Sequence, residues 1–114
     1  MSEMLENRML VFSKALINLT KETTVTLSNR NVIEQLLRSA TSIGANYQEA
    51  CGAVSKKDFI SKLAIARKEA KETFYWLQLL EESQKTAEVA KLRQECHEFV
   101  LILSKSLKSS QQPT

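Results

Sequence analysis

Residues 56–84 read KKDFISKLAIARKEAKETFYWLQLLEESQ. Within this stretch Phe59, Leu63, Ala66, Ala70, Phe74 and Leu77 recur at steps of three and four, the period of one helix face and not the alternation of a strand. No glycine or proline interrupts the run, and at 1.5 Å per residue it makes a rod about 40 Å long. The rest of the chain keeps the same period. Leu5, Met9, Phe12, Leu16 and Leu19 form a first stripe. Ile33, Leu36, Leu37, Ala40, Ile43, Tyr47, Ala50 and Val54 form a second, and Val89, Leu92, Cys96, Phe99, Leu103 and Leu107 a fourth. A single apolar stripe per helix leaves water only by facing other stripes. The reading is an all-α, up-and-down, antiparallel four-helix bundle, elongated because its rods are long.

The joints agree. Helices are expected over approximately residues 4–19, 30–52, 56–84 and 87–108, followed by a polar, frayed tail at 109–114. Ser28 and Asn29 are candidate N-caps for the second helix and Thr86 for the fourth. Ser55 with Asp58 resembles a capping box, and Gly52 can end the helix before it. Gly44 falls on an apolar stripe, where it lets another helix approach closely. Short links make antiparallel neighbours.

Composition excludes most alternatives. The chain has 114 residues, one domain's worth, with two glycines and one proline, too little turn chemistry for a many-stranded β fold. Its 43% hydrophobic and 25% charged residues are ordinary for a globular protein. Its longest apolar runs, such as Phe99 to Leu103, fall far short of the roughly 20 residues a membrane span needs. No secretory signal pattern opens the sequence, so a cytoplasmic location is expected. Cys51 and Cys96 are too few for a disulfide framework, and free, buried thiols are expected.

Catalytic chemistry finds no foothold. His97 adjoins Cys96, but consecutive helical residues point about 100° apart and cannot form a nucleophile–base pair. No zinc-ligand spacing, di-iron Glu-x-x-His motif or glycine-rich phosphate loop occurs. Glu34 with Arg38, and Arg67 and Lys71 with Glu69 and Glu72, read as solvated surface patterning. Glu81 and Glu82 read as a solvated helix end. The expectation is a protein without catalytic residues, cofactor, metal or small-molecule substrate.

Two polar features and one apolar one remain. Lys57, Lys68 and Lys71 fall within about 80° of one another on the third helix, with Tyr75 on the same line and Lys56, Lys62 and Arg67 flanking it. Such a line can track a phosphate backbone and stack a base; a solvated lysine face is the alternative. The formal net charge of +3 is modest for a dedicated nucleic-acid binder. On the second helix Arg38, Ser42, Asn46 and Glu49 form a polar line opposite the apolar stripe, either a wet face or a registry device between subunits. Ile65, Trp76 and Leu79 lie together, away from the core stripe of the third helix, and point to a contact between subunits.

These residues resemble a known family. Arg38-Ser39-Ala40-Thr41-Ser42-Ile43 with Asn46 and Glu49 makes an R-S-x-x-S-I-x-x-N-x-x-E pattern. It is followed by Ser55-Lys56-Lys57-Asp58-Phe59, Leu63-Ala64-Ile65-Ala66 and Lys68-Glu69-Ala70-Lys71-Glu72-Thr73 with Tyr75-Trp76-Leu77. Over roughly residues 30–82 the chain is similar to the four helix bundle proteins encoded within intervening sequences of 23S rRNA genes. Tyr47 and Ala50 depart from the pattern, standing where an aliphatic residue and a glycine are expected. The resemblance implies an up-down bundle assembled as a ring-shaped homopentamer. It also brings in the related accessory variability determinants of diversity-generating retroelements, basic pentamers that bind nucleic acid and a reverse transcriptase. Two functions are therefore expected in competition: a homo-oligomer that contacts RNA or DNA through its basic face, and a protein-interaction scaffold with no nucleic-acid role.

Overall fold

A computed structural model describes residues 3–111 of the chain. Four helices follow in order, α1 Glu3–Glu22, α2 Arg30–Cys51, α3 Lys56–Ser83 and α4 Ala87–Gln111. They run alternately up and down in a bundle of 50 × 22 × 19 Å. α2 packs on α3, and α3 on α4, along most of their lengths. α1 leans on α2 and meets α4 only sparsely.

The predicted stripes of α1 and α4 are their buried residues without exception. Phe12 and Phe99 meet edge-to-face at the centre, with centroids 5.3 Å apart. The two inner helices differ from expectation. α3 lies between two neighbours, so its buried arc is wider than one stripe. Phe59 and Phe74 sit half-buried at its rim, while Leu80 and the polar Glu69 and Thr73 are buried. On α2, Leu37 is half-buried, and Val54 is exposed because the helix ends at Cys51. Tyr47, the departure from the family pattern, is a buried core residue.

Caps follow the sequence closely at two joints. The Asp58 N–H donates to Ser55 Oγ at 3.0 Å and the Val89 N–H to Thr86 Oγ1 at 3.2 Å. Asn29 precedes α2 but does not cap it through its side chain. Its Oδ1 instead accepts from the Thr26 N–H, and its Nδ2 donates to the Thr24 carbonyl, tying the α1–α2 loop to itself. α4 continues through Ser109, Ser110 and Gln111, where a frayed tail was expected. The Ser110 hydroxyl donates to the Ser106 carbonyl there. The last part of the expected tail, 112–114, lies outside the described residues.

Gly44 does admit a close neighbour: a Cβ there would stand 3.2 Å from Met9 Cβ on α1. The cysteines divide. Cys96 is buried and contacts the Ala70 carbonyl, and burial pushes its thiol up to about 12. Cys51 is exposed, against expectation, because it is the last residue of α2 at one end of the bundle.

Candidate nucleic-acid interface

α3 presents two polar or half-buried borders, each set by its register on a neighbouring helix, and one open face. The border toward α2 carries the carboxylates. Arg38 Nη1 donates to Glu69 Oε1 at 3.2 Å, and its Nη2 pairs with Glu72 Oε2. The Trp76 indole N–H also donates to Glu72 Oε2, at 3.2 Å. Further along, Lys62 Nζ lies 3.7 Å from Glu49 Oε2. Beneath this border, the Thr73 hydroxyl contacts the Ser39 hydroxyl at 2.8 Å and the Glu69 carbonyl at 2.7 Å, all out of water.

The polar line of α2 thus faces α3, to one side of the apolar stripe and not opposite it. Arg38 and Glu49 find their partners within the same chain. Ser42 Oγ donates to the Arg38 carbonyl and Asn46 Nδ2 to the Ser42 carbonyl. Glu69, expected on a solvated surface, is 7% exposed, and Arg38 turns to it and not to Glu34. A charge that deep is held by a cation and hydrogen bonds, since an unpaired one is costly.

The border toward α4 is different. Arg67 Nε donates to Ser104 Oγ at 2.6 Å. The exposed His97 ring lies against Phe74, with centroids 5.2 Å apart. Arg93 Nε stands 2.7 Å from Glu81 Oε1, an ion contact outside hydrogen-bond geometry. Glu81 is therefore a partnered group, not the solvated one expected.

Between the two borders α3 faces solvent, and here Lys57, Lys68, Lys71 and Tyr75 are exposed. Lys56 is exposed at the start of the helix. None of these four lysines forms an ion pair among the described residues. Of the predicted basic set, the structure keeps Lys56, Lys57, Lys68 and Lys71 on or beside one open face, with Arg67 at its α4 edge. Lys62 is removed from that set, because it turns to Glu49 on the α2 side. Ile65 and Trp76 are half-buried on the same α2 flank, and Leu79 is exposed beyond them. Tyr75 touches Trp76 edge-on at 5.2 Å.

Two of the surface hollows adjoin α1 or the loop that follows it. One of about 650 Å³ opens between α1 and α4, with Val11, Phe12, Ala15 and Leu92 in its wall. Arg8 crosses it, its Nη2 2.6 Å from Glu95 Oε1, and that bond raises the guanidinium above its ordinary range. The other, about 450 Å³, lies between the threonine-rich α1–α2 loop and the end of α3. Among the described residues no three His, Cys, Asp or Glu side chains gather closely enough to hold a metal ion. No described helix is long and apolar enough to cross a membrane.

The family model for the 23S rRNA-intervening sequence protein matches residues 5–105. The chain belongs to that family. Among solved structures, it is similar to a protein of unknown function from the S23 ribosomal protein family of Bacteroides thetaiotaomicron, at 37% identity and a TM-score of 0.79. That match covers 90% of this chain and 97% of the other. No curated protein matches the chain. Membership agrees with the reading of the R-S-x-x-S-I-x-x-N-x-x-E pattern, and three of those motif residues reach across the α2–α3 seam: Ser39 to Thr73, Arg38 to Glu69 and Glu72, and Glu49 to Lys62. Ser42 and Asn46 donate to carbonyls of α2 itself. Glu69, Ser39 and Thr73 escaped the reading of the sequence as buried groups. Their signal was position: all three lie within about 70° of their helix's apolar stripe.

Proposed function

We propose that this 23S rRNA-intervening sequence protein is a non-catalytic, cytoplasmic homo-oligomer that contacts RNA or DNA through the outward face of α3. Lys56, Lys57, Lys68 and Lys71 supply the charge, with Arg67 at the edge. A pentamer is the assembly implied by the family resemblance. The observation that carries the reading is the segregation of charge around α3. Arg38 draws Glu69 and Glu72 to the α2 border, and the open face is left to unpaired lysines. Segregated cations raise the local potential well above what a net charge of +3 spread evenly would give. A ring would repeat the face and add avidity without any new contact. Ile65, Trp76 and Leu79, beside the Arg38–Glu49 line, are the residues proposed to meet a neighbouring copy.

A mobility-shift titration at several salt concentrations tests the binding. Affinity should fall steeply and linearly in log–log form as salt rises; no binding at low salt, or binding indifferent to salt, overturns it. Light scattering tests the assembly, and a monomer's mass would remove the avidity argument.

A second reading, an interaction scaffold with no nucleic-acid role, is favoured by a different observation. Leu27 is 96% exposed in a loop that Asn29 holds in place, with Val25 and Leu79 also exposed. Pull-down with and without nuclease separates the two, since a scaffold keeps its partners after digestion.

A further inference from the structure

From the register of α3 on α4, we infer that the basic face continues onto α4 through Lys105 and Lys108, and that its ligand is a double helix held by its phosphates. The inference rests on the nucleic-acid reading above. Arg67 opposite Ser104 and Phe74 opposite His97 fix how the two helices lie. In that register Lys108 stands level with Leu63 and Lys105 level with Ala66, between Lys57 and Lys68. Both α4 lysines are exposed. By the helical rotation of about 100° per residue, Lys105 points away from the core and Lys108 leans toward α3.

The cations therefore form two rows. Lys57 to Lys71 spans about 21 Å along α3 at 1.5 Å per residue, and the α4 pair stands on the next helix, whose axis lies about 8–10 Å to the side, the usual distance between packed helices. No carboxylate intrudes on this ground. From Phe99 to Gln111 α4 has neither Asp nor Glu. On α3, Glu69 and Glu72 turn to Arg38 on α2, and Asp58 lies on the same side of the helix as Glu69 by rotation. The acidic side chains Glu81, Glu82 and Glu88 gather instead at the other end of the bundle.

Two parallel rows suit two strands better than one. Carried outward on long side chains from axes about 8–10 Å apart, the two rows can reach the phosphates on the two sides of a groove, about 6 Å wide for the minor and about 12 Å for the major groove of B-form DNA. A single strand offers one row and is ordinarily held by bases stacked on aromatic rings. The two-row area has no exposed aromatic side chain. Tyr75 lies beyond Lys71, and Trp76 turns to Glu72 on the α2 side.

The test compares a duplex and a single strand of equal length, in salt titrations with the full chain and three variants. The double substitution Lys105→Gln with Lys108→Gln should weaken duplex binding roughly tenfold at low salt and lower the log–log salt slope by about 1–2. Lys14→Gln with Lys21→Gln removes the same charge from exposed sites on α1 and should change little. Tyr75→Ala should leave duplex affinity as it is. Equal effects of the two lysine pairs would overturn the α4 site in favour of diffuse attraction. A preference for the single strand, lost in Tyr75→Ala, would overturn the duplex while sparing the nucleic-acid reading. Absence of salt-dependent binding to either ligand would overturn both. All substituted side chains are exposed, so unchanged circular dichroism and melting temperature are required of each variant.

Discussion

Arg38 on α2 and Glu69 on α3 form a cross-helix pair, 3.2 Å from Nη1 to Oε1, in which the guanidinium is half exposed and the carboxylate nearly covered. Removing the cation leaves the covered anion behind. We expect Arg38→Ala to cost about 1–3 kcal/mol in urea unfolding, the range for a buried group left without its partner. Loss of the outlying Lys62–Glu49 pair should cost less than about 1 kcal/mol. Arg38→Ala combined with Glu69→Gln should be milder than the sum of the single changes. The same substitution also frees Glu72 beside the lysine face, so nucleic-acid affinity should drop although no lysine is touched.

Ser39 and Thr73 make a sealed hydroxyl contact between α2 and α3. Thr73→Val alone strands the Ser39 hydroxyl and should lower stability by about 1–3 kcal/mol, whereas Ser39→Ala leaves the Thr73 hydroxyl its Glu69 carbonyl and should cost less. The double variant removes both polar groups together. Its cost should fall at least 0.5 kcal/mol short of the sum, a coupling readable from a double-mutant cycle in urea.

Gly44 sits where α1 crosses α2, with Met9 Cβ in the way of any side chain. That atom is fixed to the α1 backbone and cannot swing aside, so a larger residue has to move the helix. Alanine in a helix is ordinarily worth about 1 kcal/mol over glycine, and here that gain should be largely cancelled. Gly44→Val should destabilise by about 1–3 kcal/mol, as overpacked cores do. Thermal melts of the two variants check both signs.

The two thiols should respond to opposite conditions. Exposed Cys51 should react with a thiol reagent in the native protein, and Cys96 only after denaturant is added. The Cys96 thiol ionises near 12 in the fold and near 9.0 when unfolded. Below pH 9.0 both states keep the proton and stability is complete. Between about 9 and about 12 the unfolded chain loses its proton while the fold retains its own, so stability falls as pH rises. Urea midpoints at pH 8 and pH 10.5 should drop more for the wild type than for Cys96→Ala.

The outer helices were legible because each has one neighbourly face: Leu5 to Leu19 and Val89 to Leu107 mark it by spacing alone. The inner pair was not. α3 is flanked on both sides, and its buried arc takes in Glu69 and Thr73, polar residues just outside the expected stripe. The charge of Glu69 is tolerable only because Arg38, 31 positions earlier, is brought alongside, and no local pattern reports that distance. The basic stripe was readable as an angle on one helix, which puts Lys57, Lys68 and Lys71 on one exposed face. Lys62 was misplaced although the same angle separates it: it lies about 120–180° around the helix from Lys57, Lys68 and Lys71, on the side where Glu49 stands. Lys105 and Lys108 went unnoticed because their nearness to α3 depends on the register between two helices.

The thin closure between α1 and α4 gives the molecule a weak side. α1 is fastened there by Arg8 to Glu95 and Glu98, and by the Phe12 ring against Phe99. The other three helices would still clasp one another if it swung out on the loop at 23–29. Thermal fluctuation should therefore unlatch this first rod ahead of the rest, and its amide protons should trade with deuterium sooner than those of α3. A partner able to wedge into the vacated trough would find Leu16 and Leu19 turned loose, and the bundle half undressed without having come apart.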